Sequence, residues 1–244
     1  MATGPDYRTV SRTDTVATGI DAGLRQYMLR VYNYMAGGVA ITGLVAYFFS
    51  NMLASNEQLF YAVYGSPLKW VIIFAPVAFA FFFGMRIHAM AAATAQILFW
   101  AFSVLMGLSL AWIFLAYTGE SIARVFFISA GMFGAMSLYG YTTKRDLTSW
   151  GSFLFMGVIG LLLAMIVNLF LQSSALGFAI SVIGVLVFTG LTAYDTQKIK
   201  EMYSEYDEAG TMTKKAILGA FNLYLDFINL FIMLLRLMGV ARSE

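Results

Sequence analysis

Cysteine is absent from the 244 residues, which excludes disulfides, thiolate metal sites and cysteine nucleophiles together. Charge is scarce too: Asp, Glu, Lys and Arg make up 11% of the chain, against about 25% in an average soluble domain. The net charge of +2 is too small for a polyanion-binding surface, so nucleic acid is not an expected partner. What fills the sequence is apolar. Hydrophobic residues make up 60%, and the mean hydropathy is +0.77. That balance excludes a soluble enzyme and a disordered regulator, and leaves a polytopic membrane protein.

The gaps between charges set the spans. Uncharged stretches run from Arg30 to Glu57, Lys69 to Arg86, Arg86 to Glu120, Arg124 to Lys144 and Asp146 to Asp195. A helical span needs about 20 apolar residues. The Arg86–Glu120 gap is too short for two spans and a turn. The Asp146–Asp195 gap holds two, broken at Gln172-Ser173-Ser174. A last apolar run, Ala216 to Met238, carries Asp226 within it. Seven helices are therefore predicted near 32–54, 69–88, 91–117, 122–141, 151–171, 176–197 and 216–238, in one transmembrane domain over 30–240. The fold class is all-α, because lipid cannot satisfy exposed backbone groups and these runs are too long for barrel strands. Pro76 should bend the second helix. The pairs Ala130/Gly134 and Gly131/Ala135 offer a close-contact face on the fourth.

Residues 1–29 are polar, without the apolar core of a leader peptide, and are expected to form a tail ending in a short amphipathic helix. Eleven of the 15 lysines and arginines fall on the N-terminal side of the predicted topology. The positive-inside rule then places the N-terminus in the cytoplasm and, after seven spans, the C-terminus outside.

An ionisable group inside a span is costly and is a functional candidate by default. Two carboxylates qualify: Asp195 at the cytoplasmic end of span six, and Asp226 near mid-membrane in span seven. Asn222, Asp226 and Asn229 share a face of span seven through i, i+4, i+7 spacing. Thr189, Thr192, Asp195 and Thr196 are expected to share a face of span six. Consecutive spans are expected to be neighbours, so the carboxylates form a facing pair. Arg86, ending span two, reaches the same side as a counter-charge. His88 reads as an interfacial residue. Glu201, Glu205, Asp207 and Glu208 read as a solvated loop, because they lack the alternating ligands of an EF-hand.

Two carboxylates held close cannot both ionise cheaply, and their protons leave in steps that belong to the pair. Deprotonated, the pair attracts a cation. Calcium takes 6–8 oxygen ligands, so two carboxylates with nearby amides make an incomplete shell, suited to transient occupancy and permeation rather than storage. Protonation would weaken an Arg86 contact and shift helix packing. A paired-aspartate intramembrane protease is the rival chemistry, but bulky Leu223-Tyr224-Leu225 precedes Asp226 where small residues would admit a substrate backbone. A retinal protein is excluded, since span seven has no lysine for a Schiff base. A regulator of another membrane complex is the remaining alternative.

Three stretches together resemble the transmembrane Bax inhibitor motif family (Bax inhibitor-1 or YccA-like proteins) in its bacterial form. They are Tyr139-Gly-Tyr-Thr-Thr-Lys-Arg-Asp-Leu147, Thr192-Ala-Tyr-Asp-Thr-Gln197 and Leu223-Tyr-Leu-Asp-Phe-Ile-Asn-Leu230. The resemblance implies a multi-pass protein of the bacterial inner membrane with a central helix surrounded by six others. It also implies a pH-sensitive calcium leak gated at a di-aspartyl site, which maps onto Asp195 and Asp226. No tightly bound cofactor is implied, and Ca2+ is the permeating ion. An arginine late in span two acts as latch, which maps onto Arg86. Partners implied are membrane lipid and a membrane-bound ATP-dependent protease. Unlike some relatives, this chain has no acidic residue within span two.

Overall fold

The computed structural model describes residues 12–242, with side chains from residue 22 onward. The first part of the predicted polar tail, 1–11, lies outside the described residues. Eight α-helices follow in order: α1 (Arg12–Ser55), α2 (Glu57–Tyr64), α3 (Leu68–Arg86), α4 (Ala92–Ala116), α5 (Gly119–Thr142), α6 (Thr148–Leu171), α7 (Ser174–Glu201) and α8 (Ala209–Met238). Seven of them are long and apolar enough to cross a membrane. Among the described residues the only β pairing is an isolated bridge between Tyr117 and Ala241.

All seven predicted spans are present, most of them longer than predicted because polar ends continue the helices. The first is continuous from Arg12, so no break separates a leading helix from the span. α3 runs unbroken through Pro76 and closes in a 3-10 turn, Ile87–Ala89. The α6–α7 break falls where the polar triplet placed it. Gln172 takes the left-handed conformation (φ 49°) that ends α6, and Ser173 caps α7 by accepting from the Leu176 amide at 3.3 Å. The sequence reading missed α2. Asn56 caps it through the Leu59 amide (3.0 Å), Glu57 complements its N-terminal dipole, and Val63 packs against Leu53 and Ala111.

α8 is the core helix. Of its most apolar window 72% is buried, against 11–39% for the other spans. It packs against α1, α4, α5 and α7, while α3 rests mainly on α4 and α6 mainly on α7. The expected ring of six around a central helix is thus four close neighbours and two outer helices. Large apolar side chains on α6, such as Phe153, Phe155, Leu163, Ile166 and Phe170, face outward. A surface this apolar is suited to lipid.

Lipid tails are as apolar as the core, so close packing and buried hydrogen bonds hold such helices together. An aromatic cluster fastens one side of α8: Phe221 meets Phe83 and Phe102 with ring centres 4.9 Å apart, and Tyr224 meets Phe102 at 5.6 Å. The Tyr224 hydroxyl also reaches Thr42 Oγ1 on α1 at 2.6 Å. The small-residue face predicted on the fourth span is not where helices meet closely. Gly131 and Gly134 have open space where a Cβ would stand, and Gly134 borders a groove toward α1. The close approach is one face away: a Cβ on Gly140 would collide with the backbone carbonyl of Ala193 on α7.

The cationic connections gather at one pole of the bundle. Arg30 Nη1 donates to Thr213 Oγ1 (3.5 Å), Lys214 Nζ to the His88 carbonyl (3.2 Å) and Gln197 Nε2 to the Arg145 carbonyl (2.8 Å). At the opposite pole the chain end returns to the α4–α5 turn, with the Thr118 amide donating to the Val240 carbonyl at 3.1 Å.

Candidate functional site

Two helix faces and the gap between them make the site. α6 leans on α7 and leaves a cleft of about 580 Å3 over α8, lined from α6 by Gly151 and Ser152, from α7 by Tyr194, Asp195 and Lys198, and from α8 by Asn222, Asp226 and Asn229. On α8 these polar residues lie opposite the aromatic face, so one side of the helix is fastened and the other borders open space. Asp226 stands roughly 25 Å along α8 from Ala209 at 1.5 Å per residue. It is only 5% exposed.

Asp195 of α7 and Asp226 of α8 line this cleft together. Asp226 Oδ2 is buried and has no hydrogen-bond partner among the described residues. Two ionised carboxylates only accept, so a direct hydrogen bond within the pair would need a shared proton. A buried polar atom without a partner is expensive. This one belongs to a residue that lines the cleft.

The supporting residues divide. Asn222 and Asn229 line the cleft with the pair, and Asn229 Nδ2 donates to the Leu225 carbonyl at 2.8 Å. Thr192 does not line it: its buried hydroxyl donates to the Phe188 carbonyl, one turn back in its own helix, at 2.8 Å. Thr196 is likewise buried toward α5, where Ser137 Oγ lies 3.0 Å away and carries the contact on to the Tyr32 hydroxyl at 2.6 Å. The face expected to hold three threonines and Asp195 is therefore split. Leu191, Asp195 and Lys198 face the cleft, whereas Thr192 and Thr196 face the core.

Arg86 is exposed at the end of α3 and is not among the residues lining the cleft. The cation there is Lys198, which lines the cleft one helical turn beyond Asp195. Spacing alone held the signal for it, since Lys198 follows Asp195 by three residues and shares its helix face. The acidic loop residues do not assemble into a ligand cluster. Asp207 instead pairs with Lys215 Nζ at 2.6 Å. No group of three or more His, Cys, Asp or Glu able to hold a metal occurs among the described residues.

The base of the pair is braced from below. Gln197, two residues beyond Asp195, accepts from the Leu147 amide and donates to the Arg145 carbonyl, both at 2.8 Å. Lys200 Nζ donates to the Tyr141 carbonyl at 2.9 Å. Both brackets tie the Asp195 end of α7 to the connection between α5 and α6.

Comparison with known proteins covers the same residues. The profile of a family described as inhibitor of apoptosis-promoting Bax1 matches residues 24–243. A protein of Rickettsia prowazekii is 51% identical over 240 residues, 98% of this chain and 99% of the relative. The inner membrane protein YbhL of Escherichia coli K12 is 48% identical over 223 residues, 91% of this chain and 94% of its own. A Caulobacter vibrioides protein is 46% identical, with 94% of each chain covered.

Proposed function

This chain belongs to the Bax inhibitor family as a multi-pass protein of the bacterial inner membrane, and on that premise we propose that it is a pH-sensitive calcium leak gated by Asp195 and Asp226. The observation that supports the reading is the cleft itself: two carboxyls from adjoining helices line it together, one of them buried with an unpartnered oxygen, beside two asparagine amides. Sharing a proton, the carboxyls draw α7 and α8 together. Losing it, they repel each other and attract a cation. Two carboxylates and two amide oxygens fall short of the 6–8 ligands calcium prefers. An ion held that loosely moves on, which suits conduction. In this reading the cationic pole faces the cytoplasm, following the positive-inside rule.

The test is calcium flux into liposomes containing the purified full chain, followed from mildly acid to mildly alkaline pH. Wild type is compared with the Asp195→Asn/Asp226→Asn double variant. A pH-dependent leak in wild type that changes in the variant is the expected result. Equal flux in both, or none above empty liposomes, removes the channel reading and favours regulation of a membrane-bound ATP-dependent protease, tested by co-purification.

A further inference from the structure

We infer that the Lys198 ammonium is a tethered cation at the approach to Asp195 and Asp226, so that a mobile divalent ion binds the pair only by displacing it. The inference rests on the pair being a cation site, as proposed above, but not on conduction.

The titratable groups lining the cleft from α6, α7 and α8 are Asp195, Asp226, Lys198 and Tyr194. Two are acids, and Lys198 is the single ammonium among them. The other lysines of α7 and α8 are committed elsewhere. Lys200 bonds the Tyr141 carbonyl, Lys214 the His88 carbonyl, and Lys215 the Asp207 carboxylate. Lys198 makes no salt bridge among the described residues. Its Nζ instead lies 5.8 Å from the centre of the Tyr194 ring. That ring sits against Gly151 of α6, where a Cβ would strike it. The glycine thus lets α6 close over the tyrosine, and the tyrosine face gives the ammonium a resting place at the exposed side of the cleft.

From that position the ammonium is well suited to compete. It is a compact point charge on a flexible four-carbon stem, with three donors that turn freely. The unpartnered Oδ2 of Asp226 is the buried group it would approach, and Asp195 lies one helical turn away on its own face. An ammonium held on the aromatic ring leaves the acids open. Swung onto them, it occupies the position a metal ion needs.

The test is Mn2+ binding to the full chain in lipid nanodiscs, with free Mn2+ counted by electron paramagnetic resonance. Lys198→Gln is expected to tighten binding by about tenfold, the effect of removing one competing charge at the exposed mouth of the cleft. Lys198→Arg keeps the charge and is expected to stay within a few-fold of wild type. Adding Asp195→Asn and Asp226→Asn to Lys198→Gln is expected to abolish the gain, which separates the pair from surface acids. Unchanged, weaker or absent binding in Lys198→Gln overturns the inference, as does a gain that survives loss of both aspartates. Tightened Mn2+ binding without calcium flux would leave the inference standing and remove the channel. Flux with unchanged Mn2+ binding would do the reverse.

Discussion

Gly140 of α5 lies directly against the main-chain carbonyl of Ala193 in α7, two residues before Asp195. No side chain separates the two helices there, so α7 is held at a fixed distance from α5 just where it carries the acid. Alanine would improve the helix propensity of α5 by about 1 kcal/mol. The clash outweighs that gain, because a backbone carbonyl cannot rotate aside, and overpacking costs about 1–3 kcal/mol. Gly140→Ala is therefore expected to lower the thermal unfolding temperature of the detergent-solubilised protein, and Gly140→Val to lower it further. A rise for Gly140→Ala would show that the two helices have room between them.

The Thr42–Tyr224 contact predicts an asymmetry. Thr42 Oγ1 donates to the Ser103 carbonyl at 2.9 Å, which uses its only proton, so at 2.6 Å the Tyr224 hydroxyl must be the donor to Thr42. Tyr224→Phe removes one hydrogen bond, about 1 kcal/mol, and leaves Thr42 bonded. Thr42→Val strands the buried tyrosine hydroxyl and removes the second bond to the Ser103 carbonyl, which keeps its helical one, at roughly 2–3 kcal/mol. Denaturation of both single variants and the double variant checks this. The valine change should be the more damaging, and the double variant should lose less than the two singles added.

Asp146 gives a pH dependence outside the membrane. Its Oδ1 accepts from the Thr148 amide at 2.8 Å at the start of α6, and hydrogen bonds from Thr148 hold its carboxyl below the usual carboxylate range. A depressed value means the contribution is present above the ordinary carboxylate range and is lost as pH falls through the lowered one. Protection of the Thr148 amide against exchange, relative to its intrinsic rate at each pH, is expected to fall in that acid window and to lose this pH step in Asp146→Ala. An identical acid step in the variant would assign the change to another group.

The helices were legible in the sequence because charge is so rare in it. Each uncharged run bounded by Arg, Lys, Asp or Glu became a span, and the polar triplet at Gln172 to Ser174 marked the turn between two of them. α2 was not legible, because eight residues beside a membrane leave no hydropathy signal and its cap at Asn56 reads like any turn. Asp195 and Asp226 stood out by the cost of burying charge, which sequence shows directly. Their cation did not. Arg86 and Lys198 reach the same pole by topology, and only the packing of α6 over α7 puts Lys198 in the cleft. The threonines of span six misled for a related reason. A hydroxyl in a helix can return to its own backbone, as Thr192 does to Phe188, and spacing does not reveal that choice.

Thiol cross-linking tests the central claim most directly, that Asp195 and Asp226 face each other across α7 and α8. The native chain has no cysteine, so Asp195→Cys/Asp226→Cys carries the only two thiols. The double variant is treated in native membranes with a short bifunctional methanethiosulfonate, and single-cysteine chains serve as controls. Mass spectrometry then looks for one linked peptide spanning the two helices. The account predicts rapid intramolecular linkage in the double variant. Two separately modified thiols with no link between them would contradict it.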